Sequence, residues 1–363
     1  MPFLDEKHTS TDLKALSPAG LEEWVIEELG EPKWRARQIL RWMYTRKAVD
    51  SFESMLNLPV SLRDALATSA RMERLTVQAL FTARDQTVKA LMKLPSGRNV
   101  ESVLIPYLDD HGNPIRLTVC VSSQVGCAMG CTFCATGKMG FQENLTCGQI
   151  VDQVTYMRKV AFERFDRDIS NVVYMGMGEP LLNYRALLAS LEILTHPEAC
   201  GLSPRRITVS TVGLARRIRD LANDAPRVNL AVSLHAPTES KRASIMPISR
   251  NALTGLKALE PAMQYHTSTT GRPLTFEYCL FSGFNDSLED ASILAQICHN
   301  VRAKVNLIMY NSVPGTAFER TSEKQLDKFM GHLSKRGVTV TVRRSRGSDI
   351  AAACGQLANQ SQT

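Results

Sequence analysis

Apolar residues recur at helical spacing through residues 1–72. Ser17-Pro18 reads as a cap with proline in the first turn, and Leu21, Trp24, Val25 and Leu29 follow on one face. A Gly30-Glu31-Pro32 break separates this helix from a second, Trp34 to Tyr44. There Arg35, Arg37 and Arg41, continued by Arg46 and Lys47, surround Trp34, Ile39, Leu40, Trp42 and Met43. Two readings stand side by side: a solvated face over a core stripe, or a nucleic-acid surface of arginine and aromatic groups. From residue 73 the period changes to two, with strand-like runs at 74–81, 87–93, 98–105 and 115–121. Turn signals at Pro95-Ser96-Gly97 and Asp110-His111-Gly112-Asn113 join them, so this stretch reads as a sheet extension built from hairpins.

Strand and helix patterns then alternate. Apolar strands are predicted at 115–121, 171–175, 206–210, 228–234, 274–280 and 304–309, separated by helices near 145–163, 184–195, 213–222, 252–265, 287–299 and 322–335. Six βα units in series predict parallel strands in either a doubly wound sheet or a full or partial barrel. No internal repeat or low-complexity linker interrupts them, and the polar stretch after Ala358 is expected to fray.

At 363 residues, 44% hydrophobic and 22% charged, the composition excludes disordered and collagenous chains. Forty-three Lys and Arg against 36 Asp and Glu give a net charge of +7. That excess suits a polyanionic partner without requiring one. The segment Met1 to Asp12 lacks an apolar core, and no run approaches ~18 uninterrupted apolar residues, so a soluble, cytoplasmic protein with no membrane association is expected. Nine cysteines are too sparse for a disulfide scaffold, and an odd number cannot pair completely.

Three of them crowd together. Cys127, Cys131 and Cys134 form a CxxxCxxC motif in the loop after the 115–121 strand. Thiolates so spaced can each take one iron of a cubane, leaving the fourth iron of a [4Fe-4S] cluster open to a ligand. A structural zinc site with Cys147 as fourth thiolate, or three buried thiols, are the alternatives. The loops that follow also lie at C-terminal strand ends, where a parallel α/β architecture assembles its site. They are Gly176-Met177-Gly178-Glu179-Pro180, Ser210-Thr211-Val212-Gly213, Ser233-Leu234-His235, Ser282-Gly283-Phe284-Asn285 and Asn311 to Gly315. Singly these are ordinary turns; together they supply what a cofactor bearing an amine and a ribose requires.

These motifs, with Ala353-Cys354-Gly355-Gln356-Leu357, resemble the radical SAM RNA methyltransferases of the RlmN/Cfr family, from about Trp34 to Leu357. The resemblance implies an α/β fold: a partial (β/α)6 radical SAM barrel with a helical N-terminal accessory domain and a β extension. The corresponding division is 1–72 accessory domain with possible RNA contact, 73–112 β-hairpin extension, 113–345 core and 346–363 tail. It implies a [4Fe-4S] cluster on Cys127, Cys131 and Cys134, and S-adenosylmethionine held by Gly178, Glu179, Ser210, Ser233, Leu234, His235 and Asn311. It further implies that Cys354 is methylated and carries the methylene to RNA, that Cys120 resolves the protein–RNA adduct through a disulfide, and that Glu101 accepts a proton. The expected substrate is C2 of adenosine in 23S rRNA, and in tRNA, served by an electron donor such as flavodoxin and a monomeric enzyme. The Cfr-type C8 reaction is the alternative, and a non-enzymatic RNA-binding protein with a structural cluster or zinc is a further one. Two neighbours of these motifs depart from the family pattern: Ala351 stands where Asp is common, and Ser312 where Pro is common.

Overall fold

Side-chain caps set the starts of several helices. Ser17 Oγ accepts the Gly20 N–H at 3.1 Å and opens helix Pro18–Glu27. Thr146 and Gln149 form a reciprocal capping box before Cys147–Phe165, and Ser287 with Asp290 does the same before Leu288–Val301. The computed structural model describes residues 10–45 and 48–358. Arg46, Lys47, most of the Met1–Asp12 segment and the stretch beyond Ala358 lie outside the described residues.

Ten strands form one sheet: β1 Thr76–Thr82, β2 Val88–Lys93, β3 Asn99–Leu108, β4 Pro114–Cys120, β5 Asn171–Tyr174, β6 Ile207–Thr211, β7 Asn229–Ser233, β8 Leu274–Leu280, β9 Ala303–Met309 and β10 Val340–Arg343. Their spatial order follows the chain from β1 at one edge to β10 at the other. Neighbours are antiparallel from β1 to β4 and parallel from β4 to β10. A doubly wound sheet reverses its order at a switch point; this one does not, which selects the barrel-type alternative. The result is a mixed α/β fold of the partial-barrel kind, with the hairpin strands continuing the same sheet.

Three details differ from the sequence reading. The strand β10 is not predicted, although Val340 and Val342 alternate there; three half-buried residues and an exposed Thr341 at a sheet edge give a weak signal. The helix expected at 252–265 runs Leu256–Thr270, because Pro247–Arg250 forms a 3-10 turn that delays it. In β2 the expected alternation is lost and all but the last residue are buried. The C-terminal tail explains this by covering the face that would otherwise meet solvent, with Lys89 Nζ reaching the carbonyl of Ala351.

The N-terminal helices dock on helix Cys147–Phe165 through close backbone contact. A Cβ on Gly148 would stand 2.3 Å from the carbonyl oxygen of Lys14, so only glycine permits this approach. Lys14 is 1% exposed; its ammonium pairs with Asp152, whose other oxygen accepts the Leu75 N–H at 3.2 Å. Burial lowers the Lys14 pKa, and the Asp152 carboxylate opposes that shift. Lys14→Met leaves a buried carboxylate without its counter-ion and should destabilise the fold by about 3–5 kcal/mol. A denaturant midpoint unchanged from wild type would contradict this account.

Candidate active site

The site is built where antiparallel and parallel halves of the sheet meet. Cys120 ends β4, with Val103 of β3 and Val173 of β5 as its register partners. The chain then forms a small ribbon, Gln124–Gly126 with Phe141–Asn144, enclosing the loop that holds Cys127, Cys131 and Cys134. The 176–180 loop packs tightly against this segment. A Cβ on Gly178, whose φ is +98°, would lie 2.5 Å from Gln124 Cβ, so the glycine serves contact between two protein loops.

One cavity of about 150 Å³ is lined by all three motif cysteines together with Cys120, Cys354, Gly178, Ser233, His235 and Asn311. An adjoining cavity of about 110 Å³ is lined by Glu179 and Ser210, and shares Gly178, Ser233, His235 and Cys354 with the first. Two of the residues singled out by resemblance lie on neither. Leu234 is a fully buried core side chain, leaving only its main chain for any ligand contact. Glu101 is also buried: Oε1 pairs with Lys89 Nζ at 2.9 Å and Oε2 accepts the Ala358 N–H at 2.9 Å. Asn311 Nδ2 donates to the carbonyl of Cys354 at 3.3 Å, tying the rim to the tail.

Each polar group at the rim is held by identifiable partners. Glu179 accepts the Leu181 N–H at 3.0 Å and the Val212 N–H at 2.8 Å, and burial pushes its carboxyl up to about 7 against those donors. His235 adopts φ +55°, and its Nδ1 accepts the Cys279 N–H at 3.0 Å, which assigns the ring proton to Nε2. Asn285 fixes that turn by donating to the carbonyls of His235 and Cys279 at 2.6 and 2.7 Å. Burial pushes the His235 pKa down to about 3, assisted by the Arg242 guanidinium.

Cys120 and Cys131 are buried, Cys127 and Cys134 half-buried and Cys354 exposed. Burial pushes Cys120 and Cys127 up to about 12, and Cys131 also upward. All nine cysteines are free, so the Cys120–Cys354 disulfide is not formed in this structure. The donor set fits an iron–sulfur cluster: three soft sulfur ligands face one cavity, within a shell containing Met129, Phe133 and Tyr310. Among the described residues, no three His, Cys, Asp or Glu side chains converge as ligands of a single ion. A cubane asks for something different, one thiolate at each of three separate irons. Cys147 cannot complete a zinc tetrad here, since it opens its helix with Sγ 3.2 Å from the Ala15 carbonyl and lines neither cavity.

Sequence reasoning missed two arginines. Arg242 is fully buried, donating to Ser249 Oγ at 2.6 Å and to the carbonyls of Val212 and Ser233, so it ties the ends of β6 and β7 together. Arg343, at the end of the unpredicted β10, lines both cavities, and its charge opposes the effect of burial on Cys120 and Cys354. The departures are also placed. Ala351 has φ +50°, a left-handed conformation that Asp tolerates better than Ala, and the Ser312 carbonyl accepts from Gln356 Nε2 at 3.2 Å.

On the N-terminal helix, the apolar stripe Ile39, Leu40 and Met43 is buried. Arg35, Arg37 and Arg41 each face an acidic partner, Glu31, Glu22 and Glu198. Arg35 also lies 4.0 Å over the half-exposed Trp34 ring.

A parallel sheet in chain order, with three thiols on the loop after its first parallel strand, defines a radical SAM enzyme; residues 121–290 match the Radical SAM superfamily. Residues 11–72 match the ribosomal RNA large subunit methyltransferase N-terminal domain. The chain is 56% identical to a probable dual-specificity RNA methyltransferase RlmN from Salinibacter ruber, over 97% of this chain and 95% of that one. It is 43% identical to the dual-specificity RNA methyltransferase RlmN from Nitratidesulfovibrio vulgaris, over 95% and 94%. The crystal structure of a radical SAM methyltransferase from Sphaerobacter thermophilus superposes with a TM-score of 0.89 at 42% identity, covering 96% of this chain and all of that one. The chain belongs to the RlmN family of radical SAM RNA methyltransferases. Among the described residues no helix is long and apolar enough to cross a membrane.

The His235 environment gives a signed pH dependence. The unfolded chain takes up a proton near pH 6.5 and the folded chain only near 3. The stability conferred by neutral His235 is therefore complete above pH 6.5 and is lost as pH falls through that window, by on the order of 1 kcal/mol per unit at most. His235→Asn keeps a residue suited to the left-handed turn but cannot titrate. Its denaturant midpoint should fall less than that of wild type between pH 7 and pH 5; equal falls would refute the assignment.

Proposed function

We propose that this enzyme methylates C2 of adenosine in 23S rRNA, and in tRNA as a second substrate, through Cys354. The observation that carries the reading is the meeting of Cys120 and Cys354, distant in sequence, with the three motif thiols around one cavity. The chemistry explains why two more thiols are needed. An adenine ring carbon between two nitrogens bears a hydrogen too weakly acidic for simple carbanion attack on a methyl sulfonium, so a radical route and a covalent carrier replace it.

In this reading Cys127, Cys131 and Cys134 hold a [4Fe-4S] cluster, and Gly178, Glu179, Ser210, Ser233, Leu234, His235 and Asn311 surround S-adenosylmethionine. When bound, that pair supplies both a methyl group and hydrogen abstraction from it. Cys354 Sγ takes up the methyl group and presents its carbon to the adenine ring. Glu101 accepts the ring proton, which requires the Ala358 N–H to leave its Oε2 first. Cys120, as thiolate, then attacks the Cys354 sulfur; an S–S bond forms, the S–C bond breaks with its electron pair passing to the carbon on the base, that carbon takes a proton from water to become the methyl group, and methylated RNA leaves the disulfide behind. Arg343 favours thiolate at Cys354 when it takes up the methyl group and at Cys120 when it makes that attack.

The cavities of about 150 and 110 Å³ are small beside the ~300–1,000 Å³ of ordinary ligand sites. Ala352, Ala353, Cys354 and Gly355 from the tail line the larger one, so admitting a cofactor and a base involves displacing the tail. The N-terminal helix offers Trp34 for stacking and arginines whose exposed ion pairs, worth ~0–1 kcal/mol each, can be exchanged for phosphates.

Cys131→Ala should remove iron loading and S-adenosylmethionine cleavage together; a fully loaded, active variant would reject the cluster assignment. Cys120→Ala should accumulate a protein–RNA adduct through Cys354, whereas normal turnover without trapped RNA would overturn the resolving role. Chromatography and mass spectrometry of nucleosides from a deletion strain and its parent should show loss of 2-methyladenosine. Loss of 8-methyladenosine instead would establish the Cfr-type reaction.

A further inference from the structure

The tail that carries Cys354 is clasped from two sides. On one, the Ala135 N–H donates to the Gly355 carbonyl at 2.8 Å and Thr136 Oγ1 to that of Leu357 at 2.6 Å, directly after Cys134. On the other lies the turn between β1 and β2, where Asp85 Oδ2 accepts the Gly347 N–H and the Arg84 N–H donates to Asp349 Oδ2, both at 3.0 Å. Between these clasps sit two charged residues, Lys89 of β2 and Glu101 of β3, paired at 2.9 Å with side chains 2% and 1% exposed.

A buried ion pair is a poor way to stabilise adjacent strands. Desolvation cancels most of its attraction, and apolar residues of similar volume commonly do as well or better. What an apolar pair cannot do is bond the tail. Glu101 Oε2 accepts the Ala358 N–H at 2.9 Å, and Lys89 Nζ donates to the Ala351 carbonyl at 3.4 Å, so the pair grips the chain on both sides of Cys354. The gripped carbonyl belongs to Ala351, which among the described tail residues other than glycine is the one with positive φ, at +50°. A strained alanine persists only where its surroundings hold it.

We propose that Lys89 and Glu101 are positioning residues that act as a latch, fixing residues 351–358 and with them the location of Cys354 at the cavity. Opening the latch releases Ala351 from its left-handed turn and frees Glu101 Oε2 in the same event, so departure of the tail and availability of the carboxylate are coupled. The inference rests on the proposed function for the purpose of that movement, but its test needs no turnover.

The test is amide hydrogen exchange, followed by mass spectrometry, on the full-length cluster-loaded protein. Lys89→Met combined with Glu101→Met replaces the pair by apolar side chains that preserve packing and cannot bond the tail. Exchange across 351–358 should rise at least tenfold while β4 to β9 exchange as in wild type. Lys89→Arg, which keeps the charge and its donors, should stay within a few-fold of wild type across the tail. Wild-type tail exchange in the double variant would overturn the latch, and so would loosening that spreads equally through the barrel strands. A failure of the Cys120→Ala adduct experiment would instead strike the proposed reaction and leave the tail's exchange unaffected.

Discussion

Six thiols line the cavity at the mouth of the sheet, Cys279 beside Cys120, Cys127, Cys131, Cys134 and Cys354, and burial drives Cys120 and Cys127 up to about 12 and raises Cys131 and Cys279 as well. Every other feature of the site answers to that desolvation. Sulfur kept from water holds its proton until a cation faces it, and the two sets of thiols call for different cations. A metal centre suits the motif thiols, because metal binding displaces thiol protons. Arg343 serves the remote pair, reaching both cavities from the end of the edge strand. The rest of the rim is correspondingly rigid, with Asn285 fixing the turn at His235 and Arg242 joining two strand ends.

Much of this was legible in the sequence because the signals are local. The CxxxCxxC spacing depends on one loop, and the Ser17 cap and the hairpin turns depend on a few neighbouring residues. The strand predictions fall within a few residues of β1 to β9 for the same reason: apolar periodicity reports which faces are buried. The Lys89–Glu101 pair was not legible, since a lysine and a glutamate in an extension strand ordinarily point to solvent. Only the return of the tail across β2 buries them. Arg242 escaped notice similarly, because its partners lie at three separate places along the chain.

The arginine-rich helix shows how a composition signal divides when geometry is added. Its apolar stripe is core, as the bland reading holds, and its arginines have acidic partners within the chain. Yet those pairs lie largely at the surface, where water screens them, and an exposed Trp34 stacked by Arg35 remains beside them. The buried stripe and the arginines thus occupy different faces of one helix. Docking of that region through Lys14 and Asp152 against Gly148 gives it a fixed seat on the barrel.

The tail's place in the order of synthesis adds a temporal consequence. Cys127, Cys131 and Cys134 leave the ribosome roughly two hundred residues before Cys354, an interval of about 10–40 s at ~5–20 residues per second. Throughout that interval Ala135, Thr136 and Asn311, once made, wait without their tail partners. The mouth of the nascent barrel therefore stands uncovered while its three motif thiols are already in place. Whatever must reach those thiols has open access until residues 351–358 arrive, and afterwards has to displace them.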